Sequence, residues 1–226
     1  MVDVNTQIEA VTRGVQTTEV DGEPARVQTL VQTFPSPIDD VWDALTSAER
    51  IPRWFLPVTG DLRLGGRYQL QGNAGGEVQE CLPPSGGAGH YRITWTYGGA
   101  PDSWVTVRLA AVSDDETELE LEHIAKVADV PEEFWERFGP SATGIGWDQG
   151  LLGLALHLGG AHDGPTPEEA MEWMVGEEGK AFSRGSADAW AAAQVDDGAD
   201  TETAEKAAET TYLMYTGQLD GGMPEG

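Results

Sequence analysis

The sequence predicts an α+β fold in which a curved antiparallel β-sheet wraps around a long C-terminal helix, with an α-helical extension beyond it. Three observations carry this. Between residues 60 and 125 apolar residues alternate with period 2, punctuated by Gly and Pro clusters; on both sides the period is 3.6; and a helical pattern resumes past Gly159-Gly160. The 226 residues are ample for one sizeable core. They read as a strand or hairpin segment over 1–25, a main domain over 26–160 and a helical extension over 161–226.

Asp21-Gly22 is a turn signal between the polar, β-branched start and the run Arg26 to Phe34, which reads as a hairpin. Phe34-Pro35-Ser36-Pro37 stops the strand. Ser36 is the expected N-cap of a first helix, Asp39 and Asp40 suit its dipole, and Ile38, Val41, Trp42 and Leu45 fall on one face. Pro52 interrupts the next stretch, leaving Trp54, Phe55 and Leu56 in an irregular segment.

The meander then places Tyr91, Ile93, Trp95 and Tyr97 on one face against Arg92, Thr94 and Thr96 on the other, and Leu119, Leu121 and His123 against Glu118, Glu120 and Glu122. Trp104 alternates out of phase with Val105, Val107 and Leu109 and is expected to face the extension. The covering helix carries Trp147, Leu151, Leu154 and Leu158 at spacings of four, three and four. Gly144, Gly146, Gly150 and Gly153 crowd that helix at a cost of about 1 kcal/mol each relative to alanine, so something is expected to approach its backbone closely. In the extension, Thr166 to Glu169 opens a helix with Met171, Met174 and Val175 inward. Trp190 lies in an alanine-rich helix, and a last helix after Asp200 aligns Ala204, Ala208, Thr211 and Tyr215 before the Gly221-Gly222-Met223-Pro224 tail frays.

Charge excludes some functions. Thirty-nine Asp and Glu against 13 Lys and Arg, only three of them lysines, give a net −26. That is one unpaired negative per roughly 400 Å² of folded surface, which repels phosphate backbones and anionic lipid. Nucleic-acid and membrane partners are therefore not expected, and a saline environment is one source of such acidity. Cys81, the only cysteine, forms no intrachain disulfide and fits a reducing compartment. Met1-Val2-Asp3-Val4-Asn5 lacks the basic and apolar regions of a leader, and Leu151 to Leu158 is too short to span a bilayer, so a cytoplasmic protein is expected.

Phe34-Pro35-Ser36-Pro37, then Val41-Trp42-Asp43-Ala44-Leu45-Thr46, Trp54-Phe55, Gly65-Gly66 and Tyr68 resemble the opening pattern of the START-like superfamily, also called SRPBCC. Thr94-Trp95, Glu118 to His123 and Gly146-Trp147 through Leu158 extend the likeness to the branch named after activators of the ATPase of the ninety-kilodalton heat-shock protein, over about residues 26–160. The resemblance implies the helix-grip fold and an apolar cavity between sheet and long helix. Members bind lipids or polyketides, act as cyclases or hydrolases, sequester metabolites or assist a chaperone, and the fold does not choose among these.

The expected ligand-binding residues are Trp54, Phe55, Tyr68, Tyr91, Trp95, His123, Trp147 and Leu151, an aromatic lining for a small, largely apolar molecule. His123 is the candidate catalytic residue if the cavity is an enzyme's, with Tyr68 or Tyr91 assisting. The alternative is an imidazole bonded to a neighbour and closing the sheet end. Asp148 and Glu80 are the carboxylates most open to partial burial, with Arg92 or Arg108 as expected partners. No metal site is expected, because His123 has no partner at ligand spacing. No cofactor is expected either: Ser85-Gly86-Gly87-Ala88-Gly89 lacks the lysine of a phosphate loop and reads as a hairpin turn. A co-chaperone role and a homodimer formed through the extension complete the expectations.

Overall fold

A computed structural model describes residues 4–160 and 165–219. In chain order the elements are α1 (Val4–Glu9), β1 (Thr12–Val20), β2 (Glu23–Phe34), α2 (Ile38–Thr46), β3 (Val58–Gly60), β4 (Arg67–Leu70), β5 (Gly75–Ser85), β6 (Ala88–Trp95), β7 (Ser103–Ala111), β8 (Thr117–Lys126), α3 (Glu132–Phe138), α4 (Ser141–Leu158), α5 (Pro167–Val175), α6 (Glu177–Asp196) and α7 (Thr201–Tyr215). The strands form one antiparallel sheet in the order β1-β2-β8-β7-β6-β5-β4-β3, so the α+β, helix-grip class stands. The tail at 221–224 lies outside the described residues.

Turn chemistry explains the hairpins. Asp21 and Gly22 both take positive φ, 54° and 79°, the pair that a two-residue turn matched to strand twist requires. Gly86 and Gly87, at 63° and 84°, do the same between β5 and β6. Ser36 does not cap α2: its hydroxyl donates to Asp40 Oδ2 at 2.7 Å, and Pro37 occupies the cap without a side-chain bond. The N-terminal segment also holds α1, which the sequence pattern does not announce. Six residues cannot sustain a helix alone; packing on α6, where Gly185 leaves room for Ile8, holds it.

The chain forms two compact units, with boundaries inside β2 and α4. The first comprises residues 4–28, 126–151 and 165–219. Ile145 of α4, Ala187 and Ala191 of α6, and Ala204 and Ala208 of α7 form a cluster within it, and these small side chains let the helices approach closely. Phe138, Phe182 and Trp190 are fully buried. Met171 and Val175, expected inward, are 68% and 51% exposed. The reason is helical phase: α5 meets α6 through Trp173, whose ring lies 5.7 Å from that of Phe182, and residues two positions away point to the opposite side.

The second unit comprises residues 29–125 and 152–160. Its register aligns rows across strands: Cys81 with Tyr91, Val107 and Leu121, then Val78 with Ile93, Val105 and His123. These rows are the inner face. The outer face is acidic, with Arg108 bridging Glu120 and Glu122, but it is not uniformly wet, since Thr94 and Thr106 are buried there. The Thr94 hydroxyl accepts the Glu77 N–H of β5 at 2.8 Å.

Candidate ligand site

The inner face of the second unit is sealed unevenly. On β7 and β8, Val105, Val107, Leu109, Leu119 and Leu121 are at most 7% exposed. On β6 the inner residues Tyr91, Ile93 and Trp95 all keep partial exposure, as do Cys81 opposite Tyr91 and Trp42 of α2, whose ring meets Tyr91 edge-on at 6.1 Å. Tyr91 nevertheless sits deep enough that burial raises its phenol above the ordinary range, with the Cys81 thiol adding to the effect.

The other residues expected at this site have identifiable bonds. Tyr68 is buried and its hydroxyl donates to Thr94 O at 2.7 Å, with burial raising its phenol too. Trp54 donates Nε1–H to Ala44 O at 2.9 Å and stacks on Phe55 at 5.4 Å. A Cβ on Gly153 would fall under 3.0 Å from Trp54 O, so this is one close approach that the glycines of α4 serve. His123 is 8% exposed, and burial pushes its imidazole down to about 4. Its Nε2 lies 3.0 Å from Ser103 Oγ, which itself donates to Trp95 O at 2.8 Å. One hydroxyl has one hydrogen, so Nε2–H is the donor toward serine. A neutral imidazole in this arrangement is a weak base at neutral pH and has no imidazolium proton to give as an acid. Trp147, half-buried, and Leu151, buried, belong to the other unit. Trp104 lies on the outer face, half-buried beneath the Arg92 guanidinium at 5.8 Å.

Asp148 corrects the expectation most. It is 1% exposed, in the first unit, and its partner is neither Arg92 nor Arg108. Arg13 of β1 binds it twice, Nε to Oδ2 at 3.1 Å and Nη2 to Oδ1 at 2.9 Å, while the Ser186 hydroxyl and Trp190 Nε1–H, the latter at 3.0 Å, both reach Oδ2. Gly144 is the second close approach: its missing Cβ leaves room for the Trp190 indole. The sequence held a signal for this network, because a carboxylate inside an apolar helix must find a cation, but not the cation's address. Glu80 is exposed on β5, 3.0 Å from His90 Nε2.

A groove of about 590 Å³ crosses the strand ends, lined by Tyr68 of the expected residues together with Gln69, Asn73, Thr96 and Asp102. It is open and polar, and it offers an apolar molecule little burial. Among the described residues no cluster of His, Cys, Asp and Glu could hold a metal ion. No described helix is long and apolar enough to cross a membrane.

The model of the family Activator of Hsp90 ATPase homolog 1-like protein, AHSA1, matches residues 35–159, more than half of the chain. The chain belongs to the AHSA1 family. The crystal structure of CalU16 from Micromonospora echinospora is similar to it at 35% identity and a TM-score of 0.59, over 81% of this chain and 98% of that one. The solution NMR structure of CalU16 gives 34%, 0.65, 83% and 97% in the same order. That share exceeds what residues 35–159 alone supply, so the likeness reaches beyond the AHSA1 segment. An HSP90 activator from Plasmodium falciparum aligns over 43% of this chain and 71% of that one at 24% identity, with a TM-score of 0.39. No curated protein matches the chain.

Proposed function

We propose that this AHSA1 protein is a binding module that admits a small, largely apolar molecule against the inner sheet face of its second unit. The observation that carries the reading is the contrast between β6, where Tyr91, Ile93 and Trp95 keep open surface, and β7 and β8, where the same face is closed. Partly exposed aromatic surface gains from an apolar guest at roughly 25 cal/mol per Å² covered. Trp54, Phe55, Trp95 and His123 belong to the proposed lining with Tyr91. Cys81, a free thiol, suits a reducing, cytoplasmic setting.

Tryptophan fluorescence of the full chain, titrated with hydrophobic probes, tests this: saturable change at micromolar probe supports it, and a flat titration overturns it. The cavity-enzyme alternative requires His123 to exchange protons near neutral pH, and its depressed pKa and bond to Ser103 give that no support. A co-chaperone role rests on the family's name, and a pull-down with the ninety-kilodalton heat-shock protein checks it. A second copy of this chain as partner belongs to the same proposal, with light scattering at low and high salt as its check.

A further inference from the structure

On the inner face of the second unit most hydrogen-bonding tips find protein partners, the Tyr91 hydroxyl and the Trp42 indole N–H beside it being two that do not among the described residues. Tyr68 gives its hydrogen to Thr94 O, Ser103 to Trp95 O, His123 bonds Ser103, and Trp54 bonds Ala44 O. The Tyr91 hydroxyl has no hydrogen-bond partner among the described residues, and it is not one of the enclosed atoms shut off without one. It is therefore open to water or to a guest on this face. Its surroundings are apolar or weakly polar: Trp42 edge-on, Cys81 and Val107 abreast, and Ile93 two residues along. No cation shares this face among the described residues. Arg92 and Arg108, on neighbouring positions, point outward by strand alternation, toward Trp104 and toward Glu120 and Glu122.

Without a guest this phenol gives its hydrogen to water, and a guest that covers it without accepting that hydrogen forfeits the bond. Burial keeps it protonated at neutral pH, so it is a donor and its complement is an acceptor. With no cation to offset a carboxylate or phosphate, and a chain charge of −26, that acceptor is neutral. We infer that Tyr91 is the polar anchor of the site, donating its O–H to a carbonyl or ether oxygen on an otherwise apolar molecule whose frame lies against Trp42, Ile93 and Trp95. This rests on the binding reading given above, and it narrows the ligand class from apolar molecules in general to neutral ones with an acceptor oxygen.

The test uses the full chain, the Tyr91→Phe variant, and two probes of one shape, 1-indanone and indane, with dissociation constants read from tryptophan fluorescence. The variant is expected to bind 1-indanone about three- to tenfold more weakly and indane within twofold of the original chain, since only the ketone loses a hydrogen bond. It should also melt no lower, because the hydroxyl it removes holds nothing in the protein. Equal effects on both probes, no effect on either, or a marked fall in melting temperature overturns the anchor while leaving the binding site standing. If neither probe binds the original chain, the site itself is wrong and the anchor falls with it.

Discussion

Replacing Gly144 by alanine sets two opposite expectations against each other. In an unobstructed helix interior the change stabilises by about 1 kcal/mol. Here the new Cβ would stand under 3.0 Å from Cε2, Nε1 and Cδ1 of Trp190, and that ring cannot retreat: it is 0% exposed and bonded to Asp148 at 3.0 Å. Overpacking of this kind costs about 1–3 kcal/mol, and pulling the indole N–H from a buried carboxylate costs about 1.5–3 more. Against the propensity gain, the net is a destabilisation of about 2–4 kcal/mol. Urea unfolding of the full chain, followed by circular dichroism and tryptophan fluorescence, measures it. Trp190→Phe removes both the donor and part of the obstructing ring, so in that background Gly144→Ala should lose at least about 1 kcal/mol of its cost. If Gly144→Ala stabilises the chain, or if the two substitutions simply add, the steric argument is refuted.

The same structure sets three further outcomes. Asp148→Asn leaves the Arg13 cation, 4% exposed, without its charge partner, and equilibrium unfolding should show a loss of about 3–5 kcal/mol, much of it recovered when Arg13 is also replaced by methionine. His123 stays neutral down to about pH 4 when folded but titrates near 6.5 when unfolded, so its contribution is whole above pH 6.5 and is lost as pH falls from there to 4, by up to about 3 kcal/mol. The difference in stability between the original chain and His123→Gln should narrow by that amount across the window, and parallel curves would count against it. Gly153→Ala drives a Cβ against the Trp54 carbonyl, a backbone atom with no rotamer to change, so an overpacking cost of about 1–3 kcal/mol outweighs or cancels the helix-propensity gain of about 1 kcal/mol, and the same unfolding assay should show no stabilisation.

How far the fold is legible in the sequence depends on the range of the interactions that set it. Hairpin turns are local, and Asp21-Gly22 and Gly86-Gly87 announce themselves because few other residues take their backbone angles. Helix caps at Thr166 and Asp200 are equally local, and both form. The helix α1 is not legible, because its stability comes from α6, far along the chain. Nor is the orientation of Met171: periodicity marks an apolar stripe, yet on a helix of nine residues Trp173, with more area to bury, decides the phase. Glycines in α4 signal close approach from sequence alone, whereas the two bodies that approach, Trp190 and the Trp54 carbonyl, are matters of tertiary placement.

The candidate site divides along a different line. Alternation assigns Tyr91, Ile93, Trp95, Val105, Val107, Leu119, Leu121 and His123 to one face, and the register confirms that they share it. Alternation gives all three strands the same standing, however, and cannot say where the face is left open. Residue type does not say so either: Tyr68 and Tyr91 are equally aromatic, but one hydroxyl is bonded to Thr94 O and the other has no protein partner among the described residues. What separates a donor open to a ligand from one already committed is whether its polar atom is satisfied by the protein. Satisfaction depends on which carbonyl lies within about 3 Å, a distance that side-chain identity does not encode. Tyr91→Phe and Tyr68→Phe should therefore behave oppositely in the apo chain, the first leaving stability unchanged and the second lowering it by about 1 kcal/mol, the worth of a protein hydrogen bond.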